Sequence, residues 1–150
     1  MKILVLKGNN GSGKTSSVHE MVRILTKDKK IAKFVCKKDE ENFEKHKDFV
    51  VPLIYDGFLI AVSSYGDSKP DLTRPYENYK DYADVFLCAS HPEGSAPYEV
   101  VKGWKQKHTV IEKSIRNDGP KTVNDTLIKN TASVLCEELE TIIRKLEEQK

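Results

Sequence analysis

The sequence predicts an α/β fold, a three-layer domain with a mostly parallel central sheet, a β-hairpin at its edge and a long C-terminal helix. Short apolar runs rich in Val, Ile and Leu alternate along the chain with segments of helical periodicity. Two neighbouring apolar runs are joined by Asp56-Gly57, a strong hairpin signal. The C-terminal segment carries apolar residues at steps of three and four, which is typical of a helix.

The composition indicates one domain, residues 1–150, in the cytoplasm. Hydrophobic residues make up 38% of the chain, and no apolar run approaches the roughly 18 residues that cross a membrane. The first apolar run, residues 3–6, is too short for a signal peptide. Cys36, Cys88 and Cys136 have neither metal-like nor disulfide-framework spacing, so we expect buried, reduced thiols.

The charge balance gives weak support for a nucleic-acid partner and none for a membrane partner. The 25 Lys and Arg residues are nearly matched by 23 Asp and Glu residues, which leaves a net charge of +2. Local basic clusters are more typical of solvated surfaces, although a phosphate-rich partner is an alternative. The clusters are Lys27, Lys29, Lys30 and Lys33, and Lys102, Lys105, Lys107 and His108.

The N-terminal segment predicts a strand, a loop, a helix and a second strand. Residues 1–7 form an apolar run that ends in Gly, Asn and Ser, as a buried strand followed by a loop does. Residues 14–28 predict an amphipathic helix and residues 31–36 a second strand. We expect this strand to pair in parallel with the first through a right-handed crossover. The apolar positions of the helix are Val18, Met21, Val22 and Leu25.

The middle of the chain predicts the hairpin and two exposed segments. Residues 37–48 are densely charged, which indicates an exposed loop or a short helix. Residues 49–55 and 58–64 predict the two hairpin strands, and Pro52 predicts that the first lies at a sheet edge. Residues 65–75, rich in Gly, Asp and Pro, predict an exposed loop.

The remaining elements alternate helix and strand. Residues 76–82 predict a short helix and residues 84–89 a buried strand. A helix capped by Ser95 should extend to about residue 105, and residues 109–112 predict a last short strand. Residues 117–120, Asn-Asp-Gly-Pro, break the chain.

A long helix is predicted over residues 122–147. Its apolar residues form a continuous stripe that needs a packing partner. The stripe either packs across the sheet or forms the seam of a homodimer. It consists of Ile128, Ala132, Leu135, Leu139, Ile142 and Leu146.

Residues 8–15, Gly-Asn-Asn-Gly-Ser-Gly-Lys-Thr, match the motif G-x-x-x-x-G-K-[ST] at every constrained position. The motif lies between an apolar strand and an amphipathic helix, which is the context that it requires. Its glycines let the loop curl so that backbone N–H groups point at phosphate oxygens, and the helix dipole adds to the attraction. The predicted phosphate-binding residues are Gly8, Asn9, Asn10, Gly11, Ser12, Gly13, Lys14, Thr15 and Ser16.

The motif resembles the Walker A loop of the P-loop NTPase superfamily. This resemblance implies that Lys14 bridges the β- and γ-phosphates as a catalytic residue and that the Thr15 hydroxyl is a Mg²⁺ ligand. The sequence lacks the D-x-x-G and N-K-x-D motifs of GTPases, which favours ATP over GTP. It also lacks a transporter-type Leu-Ser-Gly-Gly signature, and Asn9 stands where partition ATPases carry Lys. The chain is closest in size and pattern to small P-loop kinases.

The resemblance also implies an acidic residue near the metal and an arginine lid. Three carboxylates compete for the acidic position: Asp56 in the hairpin turn, Glu112 in the last strand, and Asp67 after the second hairpin strand. We expect Asp67 to be the metal ligand or the catalytic base. The lid candidates are Arg74 and Arg116.

Polar residues at strand ends are placed where an acceptor could bind, because ligands gather at the carboxyl ends of strands in open α/β sheets. These residues are Ser63, Ser64, Ser90 and His91. The sequence thus predicts an ATP- and Mg²⁺-dependent phosphotransferase, a kinase that acts on a nucleoside, a nucleotide or another small hydroxyl compound. The alternative is a nucleotide-dependent switch, a slow hydrolase of nucleoside triphosphates that acts through a partner in nucleic-acid metabolism.

Overall fold

The computed structural model describes residues 1–115 and 125–150, and the described residues form an α/β fold. The strands are β1 (Lys2–Lys7), β2 (Ala32–Phe34), β3 (Val50–Tyr55), β4 (Phe58–Ser63), β5 (Val85–Ser90) and β6 (Thr109–Ser114). The helices are α1 (Lys14–Arg23), α2 (Lys37–Lys45), α3 (Lys69–Tyr79), α4 (Ala96–Trp104) and α5 (Asp125–Glu148). After α1 the chain continues as a π-helix, Ile24–Asp28.

The strands form one mostly parallel sheet in the order β2-β3-β4-β5-β1-β6. Strands β4, β5, β1 and β6 are mutually parallel, whereas β3 is antiparallel to both of its neighbours. The hairpin between β3 and β4 is confirmed, and its turn residues Asp56 and Gly57 both have positive φ, as a tight two-residue turn requires. Because β3 runs antiparallel to β4, the first residue of β3 lies at the end of the sheet where the parallel strands have their carboxyl ends.

The predicted pairing of the first two strands is wrong. Strand β1 lies between β5 and β6, and β2 pairs with β3 at the far edge. The burial of the strands explains this arrangement. All six residues of β5 are buried, as a central strand requires, whereas β2 has three residues and only Ala32 is buried. A short strand with an exposed side suits an edge.

The edge position predicted from Pro52 is also wrong, because β3 pairs on both sides. Strand β2 pairs with Leu53, Ile54 and Tyr55 only, so Pro52 lies just beyond this ladder. On that side Pro52 uses its carbonyl oxygen, which accepts from the N–H of Val35 at 3.4 Å. A proline is tolerated there because no N–H has to be donated.

The loop predicted over residues 65–75 is largely helix α3. The hydroxyl of Ser68 accepts from the N–H of Asp71 at 3.3 Å, and the carboxylate of Asp71 accepts from the N–H of Ser68 at 3.2 Å. This capping box, with Pro70 in the first turn, starts a helix. The Pro and Asp that indicate a turn are therefore helix-start residues, and the helix predicted over 76–82 is only the end of α3. Of the two alternatives for residues 37–48, the short helix is confirmed as α2.

Helices pack on both faces of the sheet. On one face α1 and α5 cover β1, β3 and β4, and the stripe of α5 lies in this core with Ala132, Leu135, Leu139 and Ile142 buried. On the other face α3 and α4 bury Leu72 and the side chains of Tyr98 and Trp104 against β1 and β5. The stripe thus packs against the sheet of the same chain. A homodimer through α5 stays a prediction, and the apolar stripe no longer argues for it, because most of the stripe is buried within one chain.

The three cysteines differ in their burial. Cys88 and Cys136 are buried free thiols, but Cys36 is exposed because it lies at the surface where α2 begins.

The break at 117–120, Arg116 and the predicted helix start at residue 122 lie outside the described residues. No helix among residues 1–115 and 125–150 is long and apolar enough to cross a membrane.

Gly66 lies between β4 and α3 and packs on the backbone at the end of β5. A Cβ there would lie 2.4 Å from the carbonyl oxygen of Ala89. We expect Gly66→Ala to lower the free energy of unfolding by about 1–3 kcal/mol in urea denaturation. Gly103→Ala is the control, because its Cβ would meet nothing within 4 Å inside α4 and should stabilise by about 0.5–1 kcal/mol. Equal stability of Gly66→Ala and wild type would contradict the close contact.

Candidate functional site

The loop between β1 and α1 is anchored at one end and curled along its length. The N–H of Gly8 donates to the carbonyl of Ser90 at 3.1 Å, which ties the loop to the end of β5. Gly11 and Gly13 have φ of 76° and 93°, a conformation that favours glycine. The N–H of Ser12 donates back to Asn9 at 3.1 Å. The loop therefore has the tight curvature that the sequence motif predicts.

Lys14 closes the loop from inside. Its side chain is buried, and Nζ donates to the carbonyls of Gly8 at 2.7 Å and Asn9 at 3.0 Å. Burial lowers the pKa of Lys14, while the negative charge of Asp67 acts in the opposite direction. Two of the three ammonium protons are thus engaged by the loop, and the third is available to another acceptor.

Ser12 and Gly8 give the loop the features of an anion cradle. A Cβ at Gly8 would lie 2.4 Å from Oγ of Ser12, so a side chain at residue 8 would displace that hydroxyl from its present position. Oγ of Ser12 is buried and has no hydrogen-bond partner within the described part of the chain. The hydroxyl can therefore donate to a ligand oxygen. A phosphate group fits this donor set, together with the backbone N–H groups at the start of α1.

Asp48 joins the start of α1 to the hairpin. Its Oδ1 accepts from the hydroxyl of Thr15 at 3.2 Å and from the hydroxyl of Ser64 at 3.3 Å. Oγ of Ser64 in turn accepts from the N–H of Phe49 at 2.9 Å. Sequence reasoning assigned no function to Asp48. The signal that could have found it is the hairpin, which brings the residue before β3 to the edge where β4 ends.

Asp67 and His91 form a second polar pair at this edge. Oδ1 of Asp67 lies 3.0 Å from Nε2 of His91. The two residues follow β4 and β5, so the structure brings together side chains that sequence analysis placed at separate strand ends. Asp67 is largely exposed and makes no hydrogen bond to Thr15, whereas Asp48 does. Of the two carboxylates, Asp48 is therefore the one in contact with the hydroxyl proposed as a metal ligand.

Most of the loop, Asp48, Ser64 and Asp67 line one cavity of about 370 Å³. Lys47 and Ile128 also line it, and the sequence predicts neither as a site residue. Among the described residues there is no cluster of three or more His, Cys, Asp or Glu side chains of the kind that holds a metal by protein ligands alone. The lining residues are Asn10, Gly11, Ser12, Gly13, Lys14, Thr15, Ser16, Lys47, Asp48, Ser64, Asp67 and Ile128.

The other two acidic candidates lie away from the cavity. Asp56 is in the hairpin turn, at the opposite edge of the sheet. Glu112 is held within its own network by Tyr98 at 2.6 Å, Lys105 at 3.1 Å and Lys7 at 3.2 Å. Burial would raise the pKa of Glu112, but these hydrogen bonds outweigh burial and lower it. The carboxylate of Glu112 is thus occupied by structural contacts.

The remaining candidates also lie outside this cavity. Ser63 is buried beside Val50 in the hairpin register, and the hydroxyl of Ser90 donates to the carbonyl of His91 at 2.9 Å. Arg74 lies on α3 and not in a loop, so it does not occupy the lid-like position predicted for it.

Comparison of the chain with protein-family models, with curated proteins and with solved structures gave no match. The class that the fold defines is an α/β protein with a six-stranded, mostly parallel sheet and a long C-terminal helix among the described residues.

Proposed function

We propose that this protein binds a nucleoside triphosphate with Mg²⁺ at residues 8–15 and transfers the γ-phosphoryl group to a small acceptor. The observation that carries the proposal is that one cavity holds the curled loop, the buried ammonium of Lys14 and two carboxylates, Asp48 and Asp67. ATP is the expected triphosphate, because the sequence lacks a GTP-reading motif.

The loop and Lys14 supply the binding of the phosphates. Backbone N–H groups and the hydroxyl of Ser12 donate to phosphate oxygens at the positive end of α1. Lys14 exchanges its loop carbonyls for oxygens of the β- and γ-phosphates. The ammonium is desolvated by burial, so its pairing with an anionic phosphate oxygen favours the bound state.

Thr15 and Asp48 are the residues that would hold Mg²⁺. The Thr15 hydroxyl donates its one proton to Asp48, which leaves the lone pairs of its oxygen for a cation. Hydroxyl and carboxylate oxygens are the hard ligands that Mg²⁺ prefers, with phosphate oxygens and water at the other positions. When bound, the ion would neutralise charge on the transferred group.

Asp67, whose carboxylate contacts His91, is the base in this proposal. An acceptor oxygen attacks the γ-phosphorus, and the bond from that phosphorus to the bridging oxygen breaks, so that the nucleoside diphosphate leaves with the electron pair. When the attacking oxygen belongs to a hydroxyl, its proton passes to Asp67.

The test is incubation with γ-labelled ATP, Mg²⁺ and separate pools of nucleosides, nucleotides and sugars. We expect a labelled acceptor from one pool and no label transfer when Mg²⁺ is chelated. Release of inorganic phosphate alone, with every pool unlabelled, would argue against transfer.

A second candidate, a nucleotide-dependent switch, is favoured by the position of Asp48. This residue lies in the connection between α2 and β3 and contacts Thr15, so a change of partner at Thr15 is passed directly to that connection. Hydrogen exchange at residues 46–49 with and without ATP and Mg²⁺ tests this candidate. A change in protection without a phosphorylated acceptor would favour the switch over the transferase.

A further inference from the structure

A second cavity of about 440 Å³ lies beside the first. Its walls include Val50 at the start of β3, Tyr65 in the segment after β4, and Arg74 and Tyr79 on α3. Its size is in the range that takes a small molecule. Sequence analysis considered Arg74 only as a lid residue.

The two cavities share one short segment of chain as a wall. Ser64 and Asp67 line the cavity at the phosphate loop, and Tyr65, between them in sequence, lines the second cavity. Val50 likewise follows Asp48 by two residues. A ligand in the second cavity therefore lies next to the segment that carries the proposed base.

Arg74 supplies a positive charge to this cavity, which Asp71 also lines. Its side chain is exposed and forms no ion pair within residues 1–115 and 125–150. The nearby carboxylate of Asp71 is engaged at the start of α3, where it accepts from the N–H groups of Asp67 and Ser68, both at 3.2 Å. A guanidinium with free donors is well suited to bind a phosphate or carboxylate group.

The other walls suit a flat ring. Tyr65 is 37% exposed, and Tyr79 is half-buried, so each can offer ring surface to a ligand. Pro70 and Pro75 restrict the backbone of α3 along the same cavity. The cavity thus combines an anion-binding group with aromatic walls.

We propose that this cavity is the acceptor site and that it takes a small anionic compound with an aromatic ring, of the nucleoside monophosphate class. Arg74 binds the anionic group and Tyr65 packs on the ring. The assignment as acceptor rests on the proposed transferase function, whereas the binding of the anion does not.

The experiment measures binding directly. Wild type, Arg74→Met, Arg74→Lys and Arg144→Met are titrated with AMP, CMP, GMP and UMP, and with the matching nucleosides, by calorimetry. Mg²⁺ and a saturating non-hydrolysable ATP analogue are present, so that the monophosphates do not compete at the phosphate loop. Arg144, an exposed arginine on α5, is the control for loss of a positive charge.

We expect at least one monophosphate to bind wild type and Arg144→Met equally, and its Kd to rise at least about tenfold in Arg74→Met, with partial recovery in Arg74→Lys. Unmodified nucleosides should bind wild type and Arg74→Met alike. No monophosphate binding to wild type, or equal binding to Arg74→Met, would overturn the site.

Failure of the proposed function is recognised separately. If the ATP analogue does not bind, or if no acceptor from any pool is labelled although Arg74-dependent monophosphate binding is observed, the transferase fails and the anion site stands. If transfer occurs and its acceptor KM is unchanged in Arg74→Met, the site fails and the transferase stands.

Discussion

Replacing Lys14 with Met is expected to abolish nucleoside triphosphate binding. The ammonium is buried at the centre of the loop, where it contacts the carbonyls of Gly8 and Asn9, and in the proposed function it exchanges these contacts for phosphate oxygens. Hydrogen bonds to charged groups contribute about 1.5–3 kcal/mol each, so the loss of two should weaken binding at least about a hundredfold. Fluorescence titration with a labelled ATP analogue measures this change.

The fold should survive this substitution. Burial already disfavours the charged form of Lys14, and methionine keeps a similar volume. We expect the free energy of unfolding of Lys14→Met to stay within about 1 kcal/mol of wild type, because relief of desolvation offsets the two lost hydrogen bonds. Lys38→Met, at an exposed position on α2, is the control and should bind normally. Unchanged ATP affinity in a folded Lys14→Met protein would refute the site.

The second large effect is expected from Asp48→Asn, because this carboxylate contacts Thr15. Asparagine keeps an oxygen that can accept from Thr15 and Ser64, so the local fold is retained while the negative charge is lost. We expect the Mg²⁺ concentration for half-maximal turnover to rise about 10- to 100-fold. Steady-state assays at varied Mg²⁺ and fixed ATP measure it.

Asp67→Asn is expected to act differently. With a hydroxyl acceptor, loss of the base should lower kcat by about 10²- to 10⁴-fold and leave the Mg²⁺ dependence unchanged. Asp56→Asn, in the hairpin turn, should change neither quantity, and asparagine tolerates its φ of 50°. If Asp67→Asn shifts the Mg²⁺ dependence and Asp48→Asn does not, Asp67 holds the metal, which is one of the two roles that the sequence predicts for it.

The local pattern of the sequence was sufficient for most of the elements. The alternation of apolar runs predicts β1, β5 and the hairpin, and Ser95 with Pro97 predicts the start of α4. The order of the strands is not a local property, because each apolar run can pair with several others. Strand β5 is buried on both faces and β2 is not. This difference in burial explains why β5, and not β2, lies beside β1.

The candidate site also has one part that local sequence patterns predict and another part that depends on the fold. The loop of residues 8–15 is contiguous in sequence, and its curled backbone could be predicted from the motif. Asp48 reaches Thr15 from 33 positions along the chain, a contact that depends on β3 running against its neighbours. The capping box of Ser68 and Asp71 is visible in the sequence, but the same Gly-, Asp- and Pro-rich segment also predicts a loop, which is why the loop position predicted for Arg74 is wrong.

The close approach of Gly66 to Ala89 leads us to expect that the Asp67 side of the cavity is the stiffer side. Backbone packs on backbone there, so we expect the segment that carries Asp67 and the strand end that carries His91 to move together. The opposite wall carries Asp48 and is joined to Thr15 and Ser64 by side-chain hydrogen bonds, which reorient at much lower cost. Between these two walls, adjustment to ligands of different size therefore falls to the Asp48 side.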